Sequence, residues 1–265
     1  LNELIGDYNW SVVVANKTVA TGDILATINT WGAGSTYYRG GIGIETNPES
    51  DNFATTYLGV GRSKGVFLID PMYQVKEGAP YWVGKFNTGN ASSTFRATLY
   101  NDKFYLTDWS DAYPGIWIFD PANPTEINNI FAGATNDGKG KLTINGVAVG
   151  GGSTGVAFTG SGDDRKMFIY VEDLPTSNGG NKLYRYDIGA NDTWGAKEPT
   201  QLATASAKLI NTNTGMLGSA LHNVVFCSQT RNADQNNTSV PAFIVINEAG
   251  DIIFNGGDLD GLNGC

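Results

Sequence analysis

Short apolar runs, each closed by Asp or Asn and a turn, recur along this chain in place of the i, i+3, i+4 spacing of a helix. Two copies agree closely: Gly65-Val66-Phe67-Leu68-Ile69-Asp70-Pro71 and Gly115-Ile116-Trp117-Ile118-Phe119-Asp120-Pro121. Lys182-Leu183-Tyr184-Arg185-Tyr186-Asp187 and Ala242-Phe243-Ile244-Val245-Ile246-Asn247 are looser ones. The closing side chain is short enough to bond its own backbone and start a turn.

Around these runs the pattern predicts further strands. In one unit, Arg96 to Tyr100 is an inner strand, Lys103 to Trp109 the next, Ile116 to Phe119 a wholly apolar central strand and Ile127 to Ala132 an outer one. Asn101-Asp102, Ser110 to Gly115 and Asp120 to Pro124 supply the turns. The following unit repeats the order with Gly155 to Phe158, Met167 to Val171, Leu183 to Tyr186 and a segment at Gln201 to Ala205. A last unit offers Ala220 to Phe226, Phe243 to Ile246 and Ile252 to Phe254, with a polar insert from Ser228 to Val240. Ahead of them all, Trp10 to Ala15, Ile24 to Ile28 and Gly41 to Ile44 predict three strands of an N-terminal region.

Divided at the signature, the chain falls into repeats at 1–50, 52–91, 95–148, 155–210 and 217–256. A period of roughly 40 to 65 residues with several strands per repeat predicts an all-β fold, a β-propeller of about five four-stranded antiparallel blades in one domain. A tandem β-sandwich is the alternative, although sandwiches have no reason to repeat one signature at one position. From Asp51 to Phe254 the pattern resembles the blades of extracytoplasmic bacterial β-propellers, the YncE-like and quinoprotein-like groups. That resemblance implies an architecture and little more; an extracytoplasmic location, periplasmic, cell-surface or secreted, is expected with the binding role considered below. The resemblance implies no activity, because the repeated Trp-Asp dipeptide, the sialidase aspartate box and the quinoprotein tryptophan motif are all missing.

Composition sharpens the picture. With 35 Gly among 265 residues and few stretches rich in Ala, Glu, Lys and Leu, helix is expected to be minor. A net charge of −9 with 17 Lys and Arg leaves no basic stripe for a phosphate backbone, so nucleic acid is not expected as a partner. No apolar run is long enough to span a bilayer, and membrane insertion is not expected. A first residue of Leu fits either a shortened chain or a mature form whose targeting segment has been removed, so the lack of such a segment here carries no information. Two cysteines, Cys227 and Cys265, and one histidine are too few for a structural zinc site. The cysteines either pair in an oxidising compartment or stay as separate thiols.

Several motifs fail on context. Gly151-Gly152-Ser153-Thr154-Gly155 matches the G-x-S-x-G nucleophile elbow, but a glycine run precedes it and Val156-Ala157-Phe158 continues as strand where a helix is required. His222, between Leu221 and Asn223, fits a structural role. Gly59 to Gly65 lacks the G-K-[ST] ending of a phosphate loop and is expected to connect strands. Asp258, Asp260 and Asn263 alternate like calcium ligands, yet no bidentate Glu follows, so a solvated acidic tail is expected. Trp31, Tyr37, Tyr38 and Arg39 are expected to pack the N-terminal strands, with a ligand platform as the alternative. No cofactor fingerprint is present.

The constellation worth carrying forward comes from the loops joining second to third strands, which emerge together if the repeats are blades. They hold Arg62 and Lys64; Asp108, Trp109, Asp111 and Tyr113; Glu172 and Asp173; and Arg231 and Asp234. Aromatic rings stack on sugar faces, while carboxylates and guanidinium groups bond hydroxyls. The leading expectation is therefore a non-enzymatic module that presents this face to a glycan or a protein partner. The alternatives are a glycoside-hydrolase-type enzyme, with Asp108 or Asp111 set against Glu172 or Asp173 at roughly 5 to 9.5 Å, and a structural domain of a larger secreted protein.

Overall fold

The computed structural model describes residues 42–60, 65–69, 82–86, 94–108, 115–123, 126–129, 143–144, 147–148, 152–172, 182–191, 199–207, 209, 215–228 and 243–256. Within them the apolar runs are strands, grouped in fours. The first sheet comprises β1 (Ile42–Ile44), β2 (Thr56–Val60), β3 (Gly65–Ile69) and β4 (Trp82–Phe86). The second comprises β5 (Thr94–Tyr100), β6 (Lys103–Asp108), β7 (Gly115–Phe119) and β8 (Glu126–Asn129). After a small hairpin of β9 (Thr143–Ile144) and β10 (Val147–Ala148), the third has β11 (Gly152–Thr159), β12 (Lys166–Glu172), β13 (Lys182–Asp187) and β14 (Thr200–Gln201). The fourth has β15 (Gly215–Ser219), β16 (Val224–Ser228), β17 (Phe243–Asn247) and β18 (Ile252–Asn255).

Every sheet is an antiparallel meander, and the fold is all-β with a propeller-like arrangement of four-stranded sheets. The outer strands β4 and β8 also pair with each other, in parallel, through Lys85↔Glu126 and Phe86↔Ile127. That pairing covers two edges that would otherwise present unpaired backbone groups, and it links the first two sheets into one of eight strands.

Successive residues of a strand point to opposite faces, which explains how the sheets stack. Phe104 and Leu106 of β6 join Tyr57, Val66 and Trp117 in a core between the first and second sheets. Tyr105, one residue along, joins Val156, Phe158 and Ile169 between the second and third. Phe168 and Tyr170 of the third sheet then meet Val225, Cys227 and Ile244 of the fourth. Trp117, in the strand read as wholly apolar and central, is fully buried.

The structure revises several sequence expectations. Ile42–Ile44, assigned to the N-terminal region, is the inner strand of the first sheet, paired with Thr56 to Leu58; alternation marks a strand but does not name its neighbour. Ala220 to Phe226 is not one strand, because residues 220–223 form a tight turn in which Asn223 takes φ +51°. Asn tolerates that left-handed conformation better than most residues. At Gln201 to Ala205 the strand ends at Gln201 and one helical turn, Ala203–Ser206, follows. Ser206 holds this turn, its Oγ donating to Leu202 O at 2.7 Å and accepting from Leu183 N at 2.9 Å. Cys227 is a free, buried thiol whose pKa burial pushes up to about 12. Among the described residues no helix is long and apolar enough to cross a membrane.

Candidate functional site

Whether the loops joining second to third strands form one face depends on the direction of the sheets, and contacts between neighbours fix it. Gly43 lies against Leu99 and Gly59 against Leu106, so β1 and β5 advance in step. Thr98 Oγ1 donates to Val156 O at 3.0 Å, and Tyr100 stacks on Phe158 with ring centroids 4.0 Å apart. Both pairs span 58 residues, which sets β5 and β11 running the same way. Glu248, just past the end of β17, accepts a hydrogen bond from Thr159 at the end of β11, which gives the fourth sheet the same sense. The strand ends Val60 and Gly65, Asp108 and Gly115, Val171 and Lys182, and Ser228 and Phe243 are register partners. All four pairs therefore stand at one pole.

The connections themselves, residues 61–64, 109–114, 173–181 and 229–242, lie outside the described residues. With them go Arg62, Lys64, Trp109, Asp111, Tyr113, Asp173, Arg231 and Asp234, and the acidic tail with Asp258, Asp260 and Asn263 also lies outside. So do Trp31, Tyr37, Tyr38 and Arg39. Glu172 is the last residue of β12, and its backbone pairs with Gly152.

Asp108 is the one loop-face candidate whose side chain is described. It ends β6 fully buried, and its Oδ2 accepts the indole N–H of Trp117 at 3.0 Å. A buried carboxylate is costly without hydrogen bonds, and this bond ties the floor of the pole to the core below it. Sequence reading grouped Asp108 with the loop face and placed Trp117 in an apolar strand. Their alternate positions on adjacent strands, with Asp108 opposite Gly115 and Leu106 opposite Trp117, were the available signal that they meet.

The opposite pole carries the turns between first and second strands and between third and fourth. Asn101 and Asp102 turn the chain with φ +49° and +57°, the geometry of tight hairpins. The signature residues behave as expected there: Asp120 Oδ1 accepts Ala122 N at 2.9 Å, and Asn247 Oδ1 accepts Asp251 N at 2.9 Å. A charged cluster missed in the sequence lies between the third and fourth sheets. Lys166 Nζ is 2.9 Å from Glu248 Oε2, and Arg185 donates to Glu248 O at 2.7 Å and pairs with Asp187. Its members are more than 60 residues apart in some pairs, so no local motif could announce it.

His222 sits exposed in the turn of residues 220–223 at this same pole, its backbone N–H donating to Ser219 Oγ at 3.3 Å. It stands at the far end of the sheets from Asp108. Ser153 belongs to β11, which begins at Gly152, so the G-x-S-x-G match has strand where an elbow needs a turn. Among the described residues no group of three His, Cys, Asp or Glu side chains is placed to hold a metal. Tyr57 is fully buried, and its hydroxyl has no hydrogen-bond partner among the described residues. Burial first, then the charges of Glu45 and Asp102, raise its pKa far above that of a free phenol.

No family model matches the chain, and no curated protein does. Among solved structures it is similar to a structural-genomics protein of unknown function from Bacteroides thetaiotaomicron, with 11% identity and a TM-score of 0.46 over 86% of this chain and 46% of that one. The chain thus spans about half the length of that protein.

Proposed function

We propose that this protein is a non-enzymatic binding module whose loop pole engages a glycan or a protein partner, and that it works outside the cytoplasm as the YncE-like and quinoprotein-like propellers it resembles do. The observation that carries the reading is the common direction of the four sheets, which gives the four second-to-third connections one side of the molecule from which to act. Those connections contain Trp109, Tyr113 and Asp111, a mixture suited to stacking on sugar rings and bonding their hydroxyls. The buried Asp108–Trp117 bond supports the base of one connection and keeps that carboxylate engaged inside the fold.

Screening a glycan array with the full chain, followed by calorimetry on each hit, tests the proposal. Trp109→Ala is expected to lower affinity at least tenfold while leaving the thermal midpoint unchanged. Uniform non-binding, or equal affinity of Trp109→Ala and the parent chain, would sink it. Release of shortened sugars in the same assay would point instead to hydrolysis by Asp111, Glu172 or Asp173.

A further inference from the structure

An exposed cation, Arg96, stands at the loop pole on a backbone irregularity that the fold maintains. Register pairs Thr94 with Asp108 and Ala97 with Leu106, so β5 has an extra residue there and bulges. Thr107, fully buried, lies opposite the bulge. Its Oγ1 accepts Arg96 N at 3.0 Å and donates to Arg96 O at 3.4 Å. One buried hydroxyl thus holds both backbone polar groups of Arg96, as a bulge inside a fold requires. The neighbouring first strand β11 also bulges, with an extra residue between Ser153 and Gly155. Thr98 and Val156 are neighbours 58 residues apart, and the same offset carries Arg96 onto Thr154. Two adjacent first strands therefore break register at the same place in their repeats, beside the pole of the second-to-third connections. Bulges gather next to functional sites because they re-aim a side chain.

We propose, on the reading of this pole as a binding face, that Arg96 contacts the ligand and that the ligand is an acidic glycan whose sugar carboxylate the guanidinium binds. The described charges divide accordingly. At the loop pole Arg96 and Lys182 are cationic, while the carboxylate of Asp108 is buried and bonded to Trp117. Exposed carboxylates such as Asp163, Asp164 and Asp251 stand at the other pole, where Lys103, Lys166 and Arg185 are each paired with an acid. A strand of six residues separates the poles by about 20 Å. That is more than twice the ~8 Å over which physiological salt screens charge, so the acidic pole does not repel an anion at this one. A guanidinium fork matches a carboxylate in a bidentate pair, and a backbone already fixed by Thr107 lowers the cost of ordering it. Trp109, which supplies a ring for stacking on sugar, is two residues along the chain from Thr107. Cation and ring on adjacent segments favour a charged sugar over an acidic protein surface.

The test screens the full chain on an array of neutral and carboxylate-bearing glycans, then compares each acidic hit with its methyl ester by calorimetry. Carboxylate-bearing glycans are expected among the hits, with binding about tenfold weaker or more after esterification. Arg96→Gln is expected to bind acid and ester alike, at the affinity the parent chain has for the ester, with an unchanged thermal midpoint. Should that variant melt lower, the acid and ester comparison on the parent chain reads the charge preference without any substitution. Hits confined to neutral glycans, a parent chain that does not distinguish acid from ester, a folded Arg96→Gln variant that still does, or tighter binding of a polyglutamate peptide would each overturn the proposal while the binding face stands. Absence of any hit would overturn both.

Discussion

The second and fourth sheets have the same four-strand order and the same direction, yet their chemistry differs face by face. The second sheet is apolar on both sides, with Phe104 and Leu106 packed one way and Tyr105 and Ile116 the other. In the fourth, Val225 and Cys227 are buried against the third sheet, while Leu217 and Phe254 on the reverse side are more than half exposed among the described residues. A sheet in the middle of a stack is thus held by two interfaces, and a terminal one by a single interface until something covers its far side.

The strongest way to break that contrast is Trp117→Ala. This side chain fills the first interface and also bonds Asp108, so its loss should cost about 3–5 kcal/mol, read as a fall in the denaturant midpoint with an unchanged slope. A loss below about 1 kcal/mol would show that the second sheet is not the doubly anchored element.

Gly218→Ala probes the single interface of the fourth sheet. A Cβ there would collide with the Phe158 carbonyl group, and backbone cannot swing aside as a side-chain tip can. The expected cost is about 1–3 kcal/mol or somewhat more, measured by thermal melting. Neutral behaviour would mean that β11 and β15 are less closely apposed than the structure has them.

Cys227 reports on the same interface through pH. Its thiol is neutral in both the folded and unfolded chain at pH 7. From about pH 9 upward only the unfolded chain ionises, until the folded thiol follows at about 12. Stability should therefore fall by up to about 1.4 kcal/mol per pH unit across that window from this group, and Cys227→Ala should remove that part of the slope. Equal slopes for the two proteins between pH 9 and 10, a comparison in which the tyrosines contribute alike and cancel, would contradict the burial. At neutral pH the thiol is expected to react with thiol reagents only after unfolding.

The smallest effect belongs to Tyr57→Phe, on the first sheet where it meets the second. Removing a buried hydroxyl with no partner among the described residues, while keeping the ring against Phe104, should shift stability by less than about 0.5 kcal/mol and in the stabilising direction. A loss above about 1 kcal/mol would reveal a hydrogen bond to a group outside the described residues.

Much of the architecture could be read from local pattern, and the misses have a physical cause. Asp120 and Asn247 start turns as expected because an Asx side chain needs only its own next residues. The turn at residues 220–223 escaped because Ala220-Leu221-His222 has the look of a strand, and Asn223 alone carried the signal. The candidate loop residues were chosen by type and position. Asp108 was grouped with them, although its carboxylate is inside the fold, because the partner that decides its role lies on the next strand.

Taken alone, the sequence determined the all-β class, the repeat, the four-strand order of the second and third units, and the turn chemistry at the ends of the signature strands. These follow from alternation and from side chains bonding nearby backbone, which are properties of neighbours in the chain. Only the tertiary structure decided that Ile42–Ile44 belongs to the first sheet, that β4 pairs with β8, that Glu248 ties Thr159, Lys166 and Arg185 together, and which apolar faces remain open. Each of those depends on which surface meets which across long stretches of chain, and apolar burial, being non-directional, does not write that choice into any single segment.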